Sequence, residues 1–368
     1  MNFDVIIIGA GAAGLFCAIQ AGKRGRKVLV LEHNAKVGRK IIISGGGRCN
    51  FTNVNAKPEN FISQNPHFCK SALARYTPKD FVELVKKYRI EFYEKKLGQL
   101  FCRESSVQIV EMLIDECRRA KVEIRTSCSV KFVNRKDASA KCADDNHFGD
   151  GDTFVVETNQ GKFTCKSLVI ATGGLSIPQL GATDFGYRIA RQFGLKIIET
   201  KPALVPIVFQ NSFPEKFKSL AGVSLNATVS VGKASFRENI LFTHRGLSGP
   251  AVLQISSYLK RGEKISFDLL PMKNAFEILQ NSKESRKEFS NFLGEILPQR
   301  FASAFCETIT GSKPLKNYSE KEIKAIAEKL HAWQIGFDET EGNRKAEVTL
   351  GGVSTEELSS KTMEAKLV

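Results

Sequence analysis

The residues best suited to chemistry stand in the first fifty positions. Gly9-Ala10-Gly11-Ala12-Ala13-Gly14 follows the apolar run FDVIII at 3–8, and eighteen residues after Gly14 comes Glu32, closing a second apolar run, KVLVLE. A nucleotide diphosphate needs that spacing. Gly9 permits a tight turn, Gly11 lets the backbone approach the two phosphates, and Gly14 lets a helix pack closely on a strand. Ala12 and Ala13 would open that helix, whose unpaired N–H groups and positive dipole end favour the diphosphate. Glu32 can accept both hydroxyls of a ribose. A lone GxGxxG is a weak signal. A strand before it, a helix after it and an acid ending the next strand make it strong.

The fingerprint alone leaves FAD and NAD both open. A second glycine-rich segment, GRKIIISGGGRCNFTN at 38–53, follows the ribose acid. Gly45 and Gly46 would let backbone lie against a planar ring and its phosphates. Lys40 and Arg48 could balance the diphosphate or the electron-rich edge of a reduced flavin. Cys49 and Asn50 continue the segment. Cys49 has no partner cysteine nearby in sequence, so it reads as a packed thiol rather than half of a dithiol relay. Thr172 and Gly173, in the ATGG that ends the strand pattern SLVI, form a third cofactor contact, and Val130 completes the expected set. Gly181-Ala-Thr-Asp184-Phe-Gly186-Tyr187 would start the next helix near the same ligand. His244, in LFTHRGLSGP, is the candidate catalytic residue, able to give a proton to substrate or reduced flavin. Its alternative is a structural hydrogen-bonding histidine, as core packing is for Tyr187.

Elements able to position these residues can be read along the chain. Residues 3–8, a helix at 12–24 and a strand at 27–32 make the opening of a doubly wound sheet. Thr77 and Pro78 begin a helix with Phe81, Leu84, Val85 and Tyr88 at helical spacing. Val107, Val110, Ile114 and Cys117 mark another, feeding VEIRTS as a third strand. SVKFVNRK, a polar loop at 136–152 and TFVVETNQGKFTCKSLVIATGG read as an antiparallel meander returning to the sheet. From 196 short apolar segments (LVPIVF, ATVSVG, ILFT) suggest a small β domain, with GLSGPAVLQISSYL as one helix inside it. Residues 274–332 are helical in pattern, with a Ser319/Glu322 capping box. WQIGFDE and KAEVTLGGV return to strand.

The 368 residues allow two or three domains. The net charge is +15, with 24 Lys and Arg against 12 Asp and Glu in residues 1–135. No dense basic run occurs, and a solvated basic surface accounts for the excess better than nucleic acid. Nine cysteines without a CxxC pair argue against a disulfide framework or a metal site, and for free thiols in a reducing cytoplasm. The uncharged stretch 5–22 reaches the lower length of a membrane span. Its glycines and the Asp4 before it favour a buried strand running into a buried helix, with neither signal peptide nor membrane span.

With these motifs in view, the chain resembles the YhiN/BaiN-like family of FAD-binding proteins, also described as the aminoacetone-oxidase family. The resemblance rests on VIIIGAGAAGL, GRKIIISGGGRCNFTN, LVIATGG, KPALVPI, LFTHRGLSGPAVLQISS and AEVTLGGVST, which span almost the whole chain. It implies an α/β fold: a Rossmann-type FAD-binding domain, a doubly wound parallel sheet with a β-meander, carrying inserted β-barrel-like and helical domains. The expected boundaries are 1–195 for the first part of the FAD domain, 196–272 for the β domain, 273–332 for the helical domain, 333–345 for a return strand, and 346–368 for the last, truncated part of the FAD domain. The resemblance further implies FAD as cofactor and an oxidoreductase, of amine-oxidase or NAD(P)H-dependent reductase type, acting on a small organic substrate. A flavin-dependent RNA-modifying enzyme and a non-catalytic nucleotide-binding protein are the alternatives. A second GxGxxG is absent, so NAD(P)H is expected to bind beside the flavin rather than on its own Rossmann domain. Family members continue past Val368 with a strand and a glycine-rich helix start that touch the flavin. Weak FAD binding, and an unpaired edge on the LVIATGG strand, are therefore expected.

Overall fold

In the computed structural model, residues 1–136, 153–209 and 215–368 are described. They form two compact units: 1–174 with 179–198 and 351–368, and 175–178 with 199–350.

The first unit is built on a six-stranded sheet in the order Glu123–Arg125, Val28–Leu31, Asn2–Ile8, Gly161–Ile170, Thr153–Thr158, Val130–Lys136. The first four strands are parallel and the last two antiparallel. All four residues of Val28–Leu31 are buried, as a parallel strand covered on both faces requires. The stretch 5–22 divides as its glycines suggest: strand to Ile8, a turn, then the helix Ala12–Lys23. Thr164 and Cys165 pair on both sides. Ser167–Ile170 pair, among the described residues, only with Val5–Ile8.

The helix Val107–Arg119 buries Ile109, Met112, Leu113 and Cys117 against the Ala12–Lys23 side of the sheet. Val107, read from the sequence as part of the apolar face, is exposed because it stands in the first turn at the rim of that face. The same face carries Glu116, a carboxylate almost wholly out of water. Burial pushes its pKa up, but hydrogen bonds from Lys23, Lys87 and Tyr88 outweigh that and hold it at about 2. The Pro78–Lys87 helix has the expected Thr77 cap, whose hydroxyl accepts from the Asp80 N–H. A small antiparallel sheet, Asn50–Asn53, Gln99–Cys102 and Phe92–Glu94, follows the glycine-rich segment. The polar stretch 136–152 lies, from 137 on, outside the described residues.

The second unit has a seven-stranded sheet whose neighbours are all antiparallel: Trp333–Gly336, Lys264–Asp268, Ser224–Val231, Ala234–Phe242, Gly246–Ser248, Ile207–Val208, Glu339–Thr340. One apolar core runs from Ile207 to Ile335 and includes the helices between 275 and 331, so the segments 196–272 and 273–332 share it. Phe217, Phe242, Phe301 and Trp333 meet with ring centroids 5.2 to 6.2 Å apart. GLSGPAVLQISSYL, expected as one helix, is a strand at Gly246–Ser248 and a helix at Pro250–Ser256. Gly249 at φ 92° makes the break, and a side chain there would collide with the neighbouring strand at Asn239–Leu241. The Ser319/Glu322 capping box is formed. His331 has a structural role: Nδ1 lies 2.8 Å from Asp268 Oδ1, and Nε2 accepts from the Ala275 N–H.

Candidate functional site

A groove of about 790 Å³ opens in the first unit at the carboxyl ends of the parallel strands. Such crevices are where open α/β sheets bind ligands, and the volume is that of a ligand pocket. Of the residues singled out in the sequence, Gly9, Gly11, Ala12, Ala13, Glu32, Lys40, Val130, Thr172 and Gly173 line it. Gly14, Gly45, Gly46, Arg48, Cys49 and Asn50 do not, nor does Tyr187. His244 belongs to the second unit, exposed in the turn between Ala234–Phe242 and Gly246–Ser248.

The three fingerprint glycines have separable causes. Gly9 sits at φ 109°, and a Cβ there would stand 2.5 Å from the Ala171 carbonyl oxygen, where the ATGG turn crosses it. A Cβ on Gly14 would overlap the Gly9 carbonyl oxygen, so its role is helix–strand packing. Gly11 is different. Its backbone, at φ −82° and ψ −172°, suits any residue, and a Cβ there would meet no protein atom within 4 Å. Nothing in the chain itself requires glycine at this position. A ligand lying over the turn would. The helix that Gly11 begins has no side-chain cap and no acidic residue in its first turn, leaving its first N–H groups to an external anion. The residues therefore fit a dinucleotide diphosphate.

Glu32 is nearly buried. Its Oε2 accepts from the Ala10 N–H at 2.9 Å, and its Oε1 accepts from the Asn34 N–H and Asn34 Nδ2 at 2.9 and 2.8 Å. An ionised carboxylate has about four acceptor positions, so these bonds orient it and leave capacity for ribose hydroxyls. Arg39 Nη1 donates to Asn34 Oδ1 at 2.7 Å, extending the network along the groove floor. Lys40 reaches the Gly174 carbonyl at 3.4 Å, and partial burial lowers its pKa. Glu32→Gln is expected to weaken FAD binding by about 1–3 kcal/mol, because one charged acceptor is lost and an amide NH₂ faces a backbone donor. Titration of the apoprotein measures it. An unchanged dissociation constant would remove the ribose assignment.

The groove also takes in residues that sequence reading did not assign. His33, Asn34, Lys36 and Arg39 follow the ribose acid, and Cys128 and Ser129 come from the chain beside it, where the Cys128 N–H donates to the Glu32 carbonyl. Leu180–Phe185 and Arg188 arrive with the helix Phe185–Gln192. The Gly181–Tyr187 motif signalled that last group. Nothing in sequence signals Cys128 and Ser129, because only the sheet brings them beside Glu32.

Outside the groove, Gly45, Gly46 and Gly47 take φ of 58°, 67° and 83° and reverse the chain after residues 39–43. Cys49 follows in the same left-handed region at φ 48°. Its neighbour Asn50 pairs with Phe101, which sets Cys49 beside Cys102 across the ladder. Burial raises both thiols, Cys102 to about 11. Among the described residues no group of three His, Cys, Asp or Glu could hold a metal ion. No helix among them is long and apolar enough to cross a membrane.

A family profile described as "HI0933-like protein Rossmann domain" matches residues 3–368. The Escherichia coli (strain K12) protein named ribosomal RNA dihydrouridine synthase is 47% identical over 100% of this chain and 89% of its own length. A Haemophilus influenzae protein of the same name is 46% identical over 99% of this chain and 89% of its own. The Clostridium scindens 3-dehydro-bile acid delta(4,6)-reductase is 27% identical over 98% of this chain and 89% of its own.

Proposed function

This chain belongs to the HI0933-like family with FAD as its cofactor, and we propose that it reduces a carbon–carbon double bond conjugated to a carbonyl, its substrate a uridine of ribosomal RNA. One observation carries the reading. Relatives of two different names, each matched over 98% or more of this chain, act on the same kind of bond. Dihydrouridine forms when the C5–C6 double bond of uracil, conjugated to the C4 carbonyl, is saturated. A 3-dehydro delta(4,6) compound likewise carries its double bonds in conjugation with the 3-oxo group. The higher identity of the two ribosomal RNA relatives favours the nucleic-acid substrate over a small molecule.

Bound FAD would supply the hydride chemistry, with a dihydronicotinamide nucleotide as the class of reductant that balances the reaction. The chain's own part is binding, orientation and proton supply. The Gly9–Gly14 turn and the helix start at Ala12 hold the diphosphate. Glu32 fixes the ribose, with Val130 beside it, and Thr172 and Gly173 close the groove from the neighbouring strand end. Gly45, Gly46, Arg48, Cys49 and Asn50 are proposed to serve the flavin end. His244 remains the candidate proton donor.

The test is incubation of the holoprotein and NADPH with ribosomal RNA from cells lacking the modification, followed by nucleoside mass spectrometry. A uridine heavier by two hydrogens is the expected product. Reduction of a small conjugated enone with no change in RNA would overturn the substrate and keep the reaction class. Failure on both would overturn the reductase reading.

A further inference from the structure

We propose that the surface formed by Val54–Ile62 and the Lys95–Gly98 turn is where the first unit receives its RNA, by stacking unpaired bases on exposed apolar side chains within a basic surround. This rests on the reading of RNA as substrate.

The two segments are joined. The Val54 N–H donates to the Gly98 carbonyl at 2.9 Å, and Asn53 Nδ2 donates to the Leu97 carbonyl at 3.1 Å. Both are held from within. Glu94 Oε1 accepts from the Gly98 N–H at 3.0 Å, the Lys95 N–H donates to Gln99, and Asn60 Oδ1 accepts from the Lys57 N–H at 2.8 Å. The apolar side chains on this frame nevertheless stand in water: Val54 is 50% exposed, Phe61 46% and Leu97 64%. Leu97 adopts φ 53°, a conformation that glycine or asparagine would take at lower cost. A strained leucine held outward on a fixed turn does nothing for the core. Such exposed apolar groups on a bonded frame mark a contact surface.

Charge selects the partner. Within Val54–Ile62 and Lys95–Gly98, three exposed lysines, Lys57, Lys95 and Lys96, stand against one acidic residue, Glu59. On the adjoining turn the Glu94 carboxylate is engaged by the Gly98 N–H, and Lys95 and Lys96 are exposed. An apolar protein partner has no need of that surround. Single-stranded RNA uses both features, its phosphates meeting the cations and its unstacked bases the aromatic and apolar faces. A uridine to be reduced must leave its stack, so a platform for unpaired bases suits the substrate.

The experiment uses FAD-loaded full chain and a fluorescent single-stranded ribosomal RNA fragment, read by anisotropy from 50 to 200 mM salt, with dihydrouridine formation measured alongside. K57A/K95A is expected to loosen binding about 10-fold at low salt and reduce the log–log salt slope by about 1.4, two phosphate contacts on a single strand. F61A should weaken binding with the slope unchanged. FAD content and melting temperature should hold in both. Wild-type protein that forms dihydrouridine while both variants bind and react as it does would overturn the surface and leave the function standing. Wild-type protein that neither binds the RNA nor modifies it would overturn the function and this surface together. A dimer split by F61A, with RNA affinity unchanged, would assign the apolar face to self-association and overturn the proposal.

Discussion

Gly11→Asp is expected to give a folded, colourless protein. The reason lies in what surrounds that position: a Cβ there meets no protein atom within 4 Å, and the backbone is extended and unstrained. Aspartate is also a favoured residue at a helix N-cap, worth a few tenths of a kcal/mol over glycine. The apoprotein should therefore melt at the wild-type temperature or slightly above. The ligand is treated differently. The new carboxylate would occupy the space over the turn and place a negative charge against a diphosphate, a repulsion of about 4 kcal/mol for two unit charges at 4 Å in an effective dielectric of 20. FAD affinity should fall at least about 100-fold. Apoprotein melting reads the first effect, and absorbance near 450 nm per mole of purified protein reads the second. A yellow, stoichiometric Gly11→Asp protein would mean the cofactor does not cross this turn.

Gly14→Val should do the reverse, damaging the fold before any ligand is present. Gly14 is buried on the helix face that lies on the Gly9 turn, and a Cβ would overlap the Gly9 carbonyl oxygen and touch Ala171. Backbone cannot move aside as a flexible side chain can, so helix and strand must separate. Overpacking of this kind costs about 3 kcal/mol. In a domain of this size that lowers the melting temperature by roughly 6–12 °C. Circular dichroism of the apoprotein is the measurement, since FAD would mask part of the loss by binding the folded state. An apoprotein melting within about 2 °C of wild type would show that Gly14 is not a packing residue. The two substitutions, three residues apart in one motif, thus separate ligand space from packing space.

Much of the first unit was legible because its signals are local. A strand, a glycine turn, a helix and a strand ending in Glu32 follow one another within thirty residues, and each constrains the next through short-range geometry. The Thr77 and Ser319 caps are legible for the same reason: donor and acceptor are three residues apart. The family resemblance carried the reading to FAD, which the fingerprint alone left open between two dinucleotides. Where periodicity was the only guide, the reading slipped. Gly246–Ser248 runs in sequence into the helix Pro250–Ser256 with only Gly249 between, so the two read as one element. What makes Gly246–Ser248 a strand is its pairing with Ile207–Val208 and Leu241–Phe242, partners that periodicity does not name.

By itself, then, the sequence determined the parallel βαβ start, the glycine turn and the acid beyond it, because those residues act on their chain neighbours. Only the tertiary structure decided how Glu32 is used: its two oxygens are tied to Ala10 and Asn34, and Cys128–Val130 is carried to its side from a strand edge a hundred residues away. It also decided that a Cβ on Gly11 would meet no protein atom while one on Gly14 would meet the Gly9 backbone, two glycines alike in sequence. And it set Cys49 beside Cys102, fifty-three positions on, through the register of a small sheet that no local signal announced. The physical reason is common to all three. Neighbours along the chain are governed by φ, ψ and hydrogen bonds of short span, whereas neighbours across a sheet are chosen by burial and register, which depend on every strand at once.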